Sequence, residues 1–401
     1  NGIKASSKLL NIIAGFSIIF IITFIIGGSF FVDKNNWIKP CNRIIPGDDD
    51  GPKTCNSDQK NSFFGGGISG VFHASSLSYF SYIGFEALTT LAEETKNPKR
   101  NIVWGLFGTV VIATILYIGV GLVLTGMVPY QAISDKDPLS DAFYINNQKF
   151  IAGLIAFAAL IKTGATAFSC LTAHSRLFYR MAFDGLFCKK FENIQWSIIC
   201  CAIISCCICV TINSKFLANM VCIGTLFAYI LVCSGILIIR YEKNMENSKI
   251  ISIIVTIYGI VSISFCYALK LLILKETNID DIVKYAIVGG IGFILVVLII
   301  IMYGIHFKYG SNVSHMDSVF ICPGLPLVPL FGIFVNAFMI SSLDIKAVLR
   351  VVGWTILGLI IYFLYGIKHS KLNNIWSDST LLINETKSEE KNSEIITSNG
   401  Y

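Results

Sequence analysis

The stretch Ser78-Tyr79-Phe80-Ser81-Tyr82-Ile83-Gly84-Phe85-Glu86 places a glycine and a carboxylate inside an apolar run from Phe63 to Ala92. The run is otherwise long enough to cross a bilayer, which takes about 20 residues of helix. A carboxylate at such depth is costly, and intramembrane acids mark functional sites by default. The neighbouring glycine lets the helix break and turn backbone carbonyls out of their ladder, which a protein-lined cavity tolerates and lipid does not. Carbonyls freed this way accept hydrogen bonds from an ammonium group, and an aromatic ring covers it by cation–π contact. The chemistry implied is the holding of a small solute at a polar cavity. The run closes on Glu93-Glu94-Thr95-Lys96-Asn97-Pro98, a polar stop with a proline that ends a helix.

Lys162 lies within an apolar run over 150–172. Its ammonium either stands in for a bound cation or shuttles a proton, as desolvation lowers a lysine pKa, or it snorkels or pairs with a carboxylate. The last two are the favoured reading. The remaining chemistry-bearing residues give less. Cys200, Cys201, Cys206, Cys207 and Cys209 lack the paired spacing of a zinc site and read as small packing residues. The five histidines show no ligand spacing, and neither a nucleophile elbow nor a phosphate loop is present. No cofactor and no enzymatic activity are expected. Cys41 and Cys55 share one polar loop rich in Pro, Gly and Asp, where nothing else could pair with them. A disulfide is expected if the loop is extracellular, with a stabilisation of roughly 3 kcal/mol for so short a closure.

The elements that position these residues are membrane helices. The chain of 401 residues is 54% hydrophobic and 14% charged, against about 25% charge in soluble domains, and its mean hydropathy is +0.68. Ten apolar runs have the length and continuity of spans: about 9–32, 63–92, 102–126, 150–172, 197–212, 216–239, 250–274, 282–305, 323–342 and 347–367. None alternates as a barrel strand does. With Asn1 inside, 17 of the 31 Lys and Arg fall on the inner side and 13 on the outer. Both termini are therefore expected to be cytoplasmic, which leaves the sequons at Asn312 and Asn384 inside and unglycosylated. The net charge of +6 lies in short loops and reads as a topology signal, with no nucleic-acid surface. The bilayer is the expected partner.

Several collinear blocks carry a resemblance. Phe80-Ser81-Tyr82-Ile83-Gly84-Phe85-Glu86 with Glu93-Glu94-Thr95-Lys96-Asn97-Pro98 resembles the sixth helix of the cationic amino acid transporters, in the amino acid–polyamine–organocation superfamily. Gly2-Ile3-Lys4-Ala5-Ser6 resembles the lead-in to the fifth helix of that family. Asp184-Gly185-Leu186, after Arg176 and Tyr179, resembles the loop after the eighth. Ile223-Gly224-Thr225-Leu226-Phe227-Ala228-Tyr229, ending in Arg240-Tyr241, resembles the tenth. Pro323 through Asn336, with Tyr362 to Ser370, resembles the last two.

The resemblance implies an all-α polytopic membrane protein of fourteen helices, an inverted-repeat (LeuT-like) transporter fold, of which this chain carries ten. The chain opens at Asn1 just before a span, so a fragment lacking the first four helices is expected. The implied division is a first span over 1–32 (family helix five), an extracellular loop over 33–62, a core over 63–305, a cytoplasmic loop over 306–322, a two-helix unit over 323–367 and a disordered tail over 368–401. The implied function is sodium-independent, facilitative transport of amino acids across the plasma membrane by alternating access, with cationic substrates (arginine, lysine, ornithine). The rival expectation is a truncated, non-transporting membrane protein that acts as a partner or nutrient sensor.

Residue by residue, Phe80 matches the aromatic that caps the bound amino acid, and Ser81 and Ile83 match positions whose backbone faces its amino group. Gly84 permits the break. Glu86 stands where the family carries an aspartate and is expected to serve gating or coupling, as is Lys162 in the family's eighth helix if it does not snorkel. The loop at Arg176, Arg180 and Asp184 is shorter than in the family and lacks a proline near Trp196-Ser197-Ile198.

Overall fold

A computed structural model describes residues 2–38, 44–45, 53–54, 67–85, 95, 97–129, 133, 137–242, 248–274, 281–309, 322 and 324–371. The architecture of these residues is helical. In chain order the helices are α1 Gly2–Ser29, α2 Asn35–Ile38, α3 Gly67–Ser78, α4 Pro98–Met127, α5 Pro138–Ile145, α6 Lys149–Phe183, α7 Ile194–Thr211, α8 Ser214–Glu242, α9 Ser248–Ala268, α10 Asp281–Tyr309, α11 Leu327–Ser342, α12 Ile345–Ile361 and α13 Ile367–His369. A two-stranded antiparallel ladder joins β1 Ile44–Ile45 to β2 Lys53–Thr54, with Ile44 opposite Thr54.

Among the described residues, eight helical segments are long and apolar enough to cross a membrane: α1, α4, α6, α7, α8, α9, α10 and the α12–α13 segment. Their occasional hydroxyls do not leave the backbone ladder short. Thr23, Thr109, Thr163, Thr256 and Thr355 each donate to the carbonyl one turn back, which hides a polar group inside the helix that carries it.

The other two apolar runs behave differently. The run over 63–92 is not one straight helix in its described part: α3 stops at Ser78 and a tighter turn follows. The run over 323–342 yields α11, with 16 residues. At 1.5 Å per residue it is about 24 Å long, short of a hydrocarbon core of about 30 Å.

The chain divides into two compact units. The first comprises 1–167 and 214–349. Within it α1 packs on α4, and the short helix α5 closes this contact. Phe143 of α5 is fully buried, edge-on to Phe24 and Phe31 at 5.5 and 6.2 Å between ring centres. Gly28 lets the helices approach: a Cβ there would collide with Val123 and lie 2.8 Å from the Met127 sulfur. After α1 the chain is clipped to the end of α4, where the Asn36 amide donates to the Gly126 carbonyl at 2.6 Å and the Trp37 indole to Thr125 Oγ1 at 3.1 Å.

A second focus of the same unit is the mutual packing of α8, α9 and α11. Leu226, Leu237, Ile251, Tyr258, Leu330 and Ile333 are buried there, and the Tyr258 hydroxyl donates to the Leu330 carbonyl at 3.2 Å. Beyond α9 the backbone widens to a π-helical turn, Leu269–Leu274. There Lys270 Nζ donates to the carbonyls of Ser341 and Leu343 at 2.6 and 3.0 Å. These are carbonyls at the C-terminal end of α11, the negative end of its dipole.

The second unit comprises 168–213 and 350–401. Its described part holds the C-terminal portion of α6, with α7, most of α12 and α13. Buried Ser197 of α7 donates to the Ser175 carbonyl of α6 at 2.7 Å. Near its end α12 passes through a π-helical turn, Tyr362–Gly366, before α13.

Candidate functional site

The break that ends α3 is built from backbone first. Tyr79–Tyr82 form a turn of 3₁₀ helix, and the Ile83 amide donates to the Phe80 carbonyl at 3.3 Å. Ile83 is then extended, at φ −66° and ψ 136°. Gly84 follows at φ +118°, a torsion that side chains rarely adopt. Among the described residues, a Cβ at Gly84 would meet nothing within 4 Å. The torsion by itself calls for glycine there. The chain therefore leaves the i→i−4 ladder at an apolar depth, as an ordinary span would not.

Side chains from two other helices hold the broken segment. Thr114 and Tyr117 lie three residues apart on α4 and so share a face. Tyr117 Oη donates to the Ser81 carbonyl at 2.9 Å. Tyr82 Oη donates to Thr114 Oγ1 at 3.2 Å, and Thr114 in turn donates to the Val110 carbonyl at 2.8 Å. The Tyr82 and Tyr117 rings meet edge to face at 5.3 Å. From α8, Tyr229 contacts both sides of the break: Tyr79 at 6.3 Å and Phe85 at 5.8 Å between ring centres. The side chains that hold the break are thus aromatic and hydroxylated among the described residues, and Phe80 is 48% exposed.

The structure brings Phe80, Ser81, Ile83 and Gly84 together on this break. The Ser81 carbonyl does not wait empty, because the Tyr117 hydroxyl already occupies one of its two acceptor directions. Glu86 lies outside the described residues, as do Cys41 and Cys55. The β-ladder pairs Ile44 with Thr54, the residue before Cys55 in sequence. Lys162 is exposed on α6. No group of His, Cys, Asp or Glu suited to a metal ion occurs among the described residues.

Sequence reasoning passed over Tyr117, Thr114 and Tyr229. The signal for the first two was present as a Thr and a Tyr at helical spacing in an otherwise apolar run. Tyr229 was visible as part of a block but carried no role.

Residues 1–293 match the family described as amino acid permease, and residues 320–370 match a second family described as the C-terminus of AA_permease. Cationic amino acid transporter 9, chloroplastic, of Arabidopsis thaliana is 28% identical over 381 residues, covering 92% of this chain and 61% of that protein. Branched-chain amino acid permease BcaP of Bacillus subtilis (strain 168) is 24% identical over 383 residues, covering 93% and 62%. Cationic amino acid transporter 4 of Homo sapiens is 22% identical over 431 residues, covering 93% and 64%. The chain thus spans 61–64% of the length of these relatives. With its apolar helices and broken segment, the chain belongs to the amino acid permease family and is a relative of the cationic amino acid transporters.

Proposed function

We propose that this chain takes part in moving amino acids across a membrane, and that the Tyr79–Gly84 break is where it meets the substrate. The observation that supports this is the break itself: a carbonyl-presenting backbone, a glycine fixed by its torsion and a half-exposed ring at Phe80. In this reading Phe80 covers the α-ammonium group, the backbone at Ser81 and Ile83 receives it, Gly84 keeps the backbone open, and Glu86 supplies charge for gating or coupling. The cycle is alternating access in a LeuT-like fold, without sodium. Arginine, lysine and ornithine are the substrates we favour. Both termini are placed in the cytoplasm and the chain in the plasma membrane.

The test is uptake of radiolabelled arginine into proteoliposomes bearing the purified protein, with and without sodium. Phe80→Ala should lower uptake by at least about tenfold, the scale of one lost cation–π contact in a desolvated site, at unchanged protein yield. Equal uptake by Phe80→Ala and wild type would remove Phe80 from the site.

A second reading is favoured by the likeness to a branched-chain amino acid permease: the substrate is neutral. Leucine competing with arginine as well as lysine does would support that reading.

A further inference from the structure

The end of α6 and the end of α13 meet within the second unit, at two stretches singled out separately in the sequence. After Phe183 the backbone of α6 closes in a two-bond cap. The Leu186 amide donates to the Met181 carbonyl at 2.9 Å, and the Gly185 amide to the Ala182 carbonyl at 3.0 Å. Gly185 sits at φ +81°, as the residue after a helix does in this cap. The cap alone would accept asparagine in place of glycine.

A second constraint at Gly185 does not come from the cap. A Cβ there would run into the carbonyl oxygen of His369 and lie 3.0 Å from its carbonyl carbon and 3.4 Å from the Lys371 nitrogen. The chain leaving α13 is seated directly on the bare α-carbon. Other contacts fasten the seat. The Lys371 amide donates to the Asp184 carbonyl at 3.1 Å. Lys371 Nζ stands 4.0 Å from the centre of the Phe183 ring. His369 is held in turn by its own helix, stacked on Tyr365 at 4.2 Å with Nδ1 3.0 Å from the Tyr365 carbonyl.

We propose that His369–Lys371 form a latch on the turn that closes α6, so that the chain following Lys371 is tied to the end of that helix. The latch is a conformational device: a force or a charge change in the tail reaches α6 through this seat, and the two helix ends shift together while it is closed. Its parts are a backbone seat that only glycine provides and a cation–π contact that a charge near Lys371 would weaken.

The test is limited trypsin digestion of the full-length protein in detergent, followed by intact mass. Cleavage after Lys371 reports an open latch, and cleavage after Lys387 and Lys391 is the internal reference. Gly185→Asn keeps the cap and places a Cβ against His369. It should speed cleavage after Lys371, relative to the reference sites, by at least about tenfold, the scale of one overpacked contact. Phe183→Ala removes the ring under Lys371 and should speed it by a smaller factor of about threefold. If Gly185→Asn is not recovered as a monodisperse protein, Phe183→Ala decides alone. Ratios unchanged from wild type would show that glycine serves the helix cap only and would overturn the latch. No uptake is measured, so the outcome is independent of the transport reading.

Discussion

Tyr117 on α4 donates its hydroxyl to the backbone carbonyl of Ser81, 36 residues earlier, at 2.9 Å. The bond joins a continuous helix to a broken one at the residue where the ladder fails. Tyr117→Phe removes it and keeps the ring. The loss should be about 0.5–1.5 kcal/mol, read as a lowered Tm by intrinsic fluorescence of the purified protein in detergent. If Tm is unchanged and uptake intact, the bond holds nothing.

Gly84 and Gly121 make a matched pair. Among the described residues both would place a Cβ in open space, but Gly84 has φ +118° and Gly121 lies within α4. Gly84→Ala should cost about 1–3 kcal/mol from its torsion alone. Gly121→Ala should be neutral or stabilising by about 0.5–1 kcal/mol, as expected for alanine in a helix. Thermal unfolding of the two variants side by side checks this, and equal shifts would mean the break is not fixed by Gly84.

At the α1–α4 contact the limit is space. Gly28→Ala drives a methyl into Val123 and towards Met127, whereas among the described residues a Cβ at Gly15 on the same helix meets nothing within 4 Å. Overpacking of this kind costs about 1–3 kcal/mol. Gly28→Ala should therefore lower folded yield and Tm while Gly15→Ala leaves both unchanged.

Lys270→Met keeps the aliphatic stem and deletes both bonds to the end of α11. A charged donor lost from such carbonyls costs about 1.5–3 kcal/mol. The measurement is Tm together with proteolysis at the α11–α12 junction, which should become faster. Unaltered stability would mean that water replaces the ammonium without loss.

Lys162 offers a simpler outcome. Exposed on α6, it is expected to snorkel, so Lys162→Met should leave the rate and pH profile of arginine uptake unchanged. A shifted pH profile would return it to a coupling role.

The break was legible in the sequence because a glycine beside aromatics and an acid contradicts an apolar run, and only a few backbone geometries resolve that contradiction. Pro98, expected only to end the preceding run, opens the first turn of α4 instead, where a missing amide costs nothing, and Asn97 before it takes φ +50°. The length of α6 was not legible. Its apolar signal fades after residue 172, yet the helix runs to Phe183, because Thr172, His174 and Ser175 bond to carbonyls of their own helix. Lys270 counted as a loop charge in the topology expectation, and its role as a cap needed a partner 71 residues away. The same holds for Tyr117 and Thr114: one sequence carries no trace of which distant backbone a hydroxyl will meet.

Tyr229 touches Tyr79 before the break and Phe85 after it. A rigid ring in contact with two points on either side of a discontinuity measures the gap between them. The break cannot lengthen or hinge with α8 held still unless Tyr229 parts from one neighbour. The environment of this one phenol is therefore a built-in gauge of whether the segment is shut or sprung.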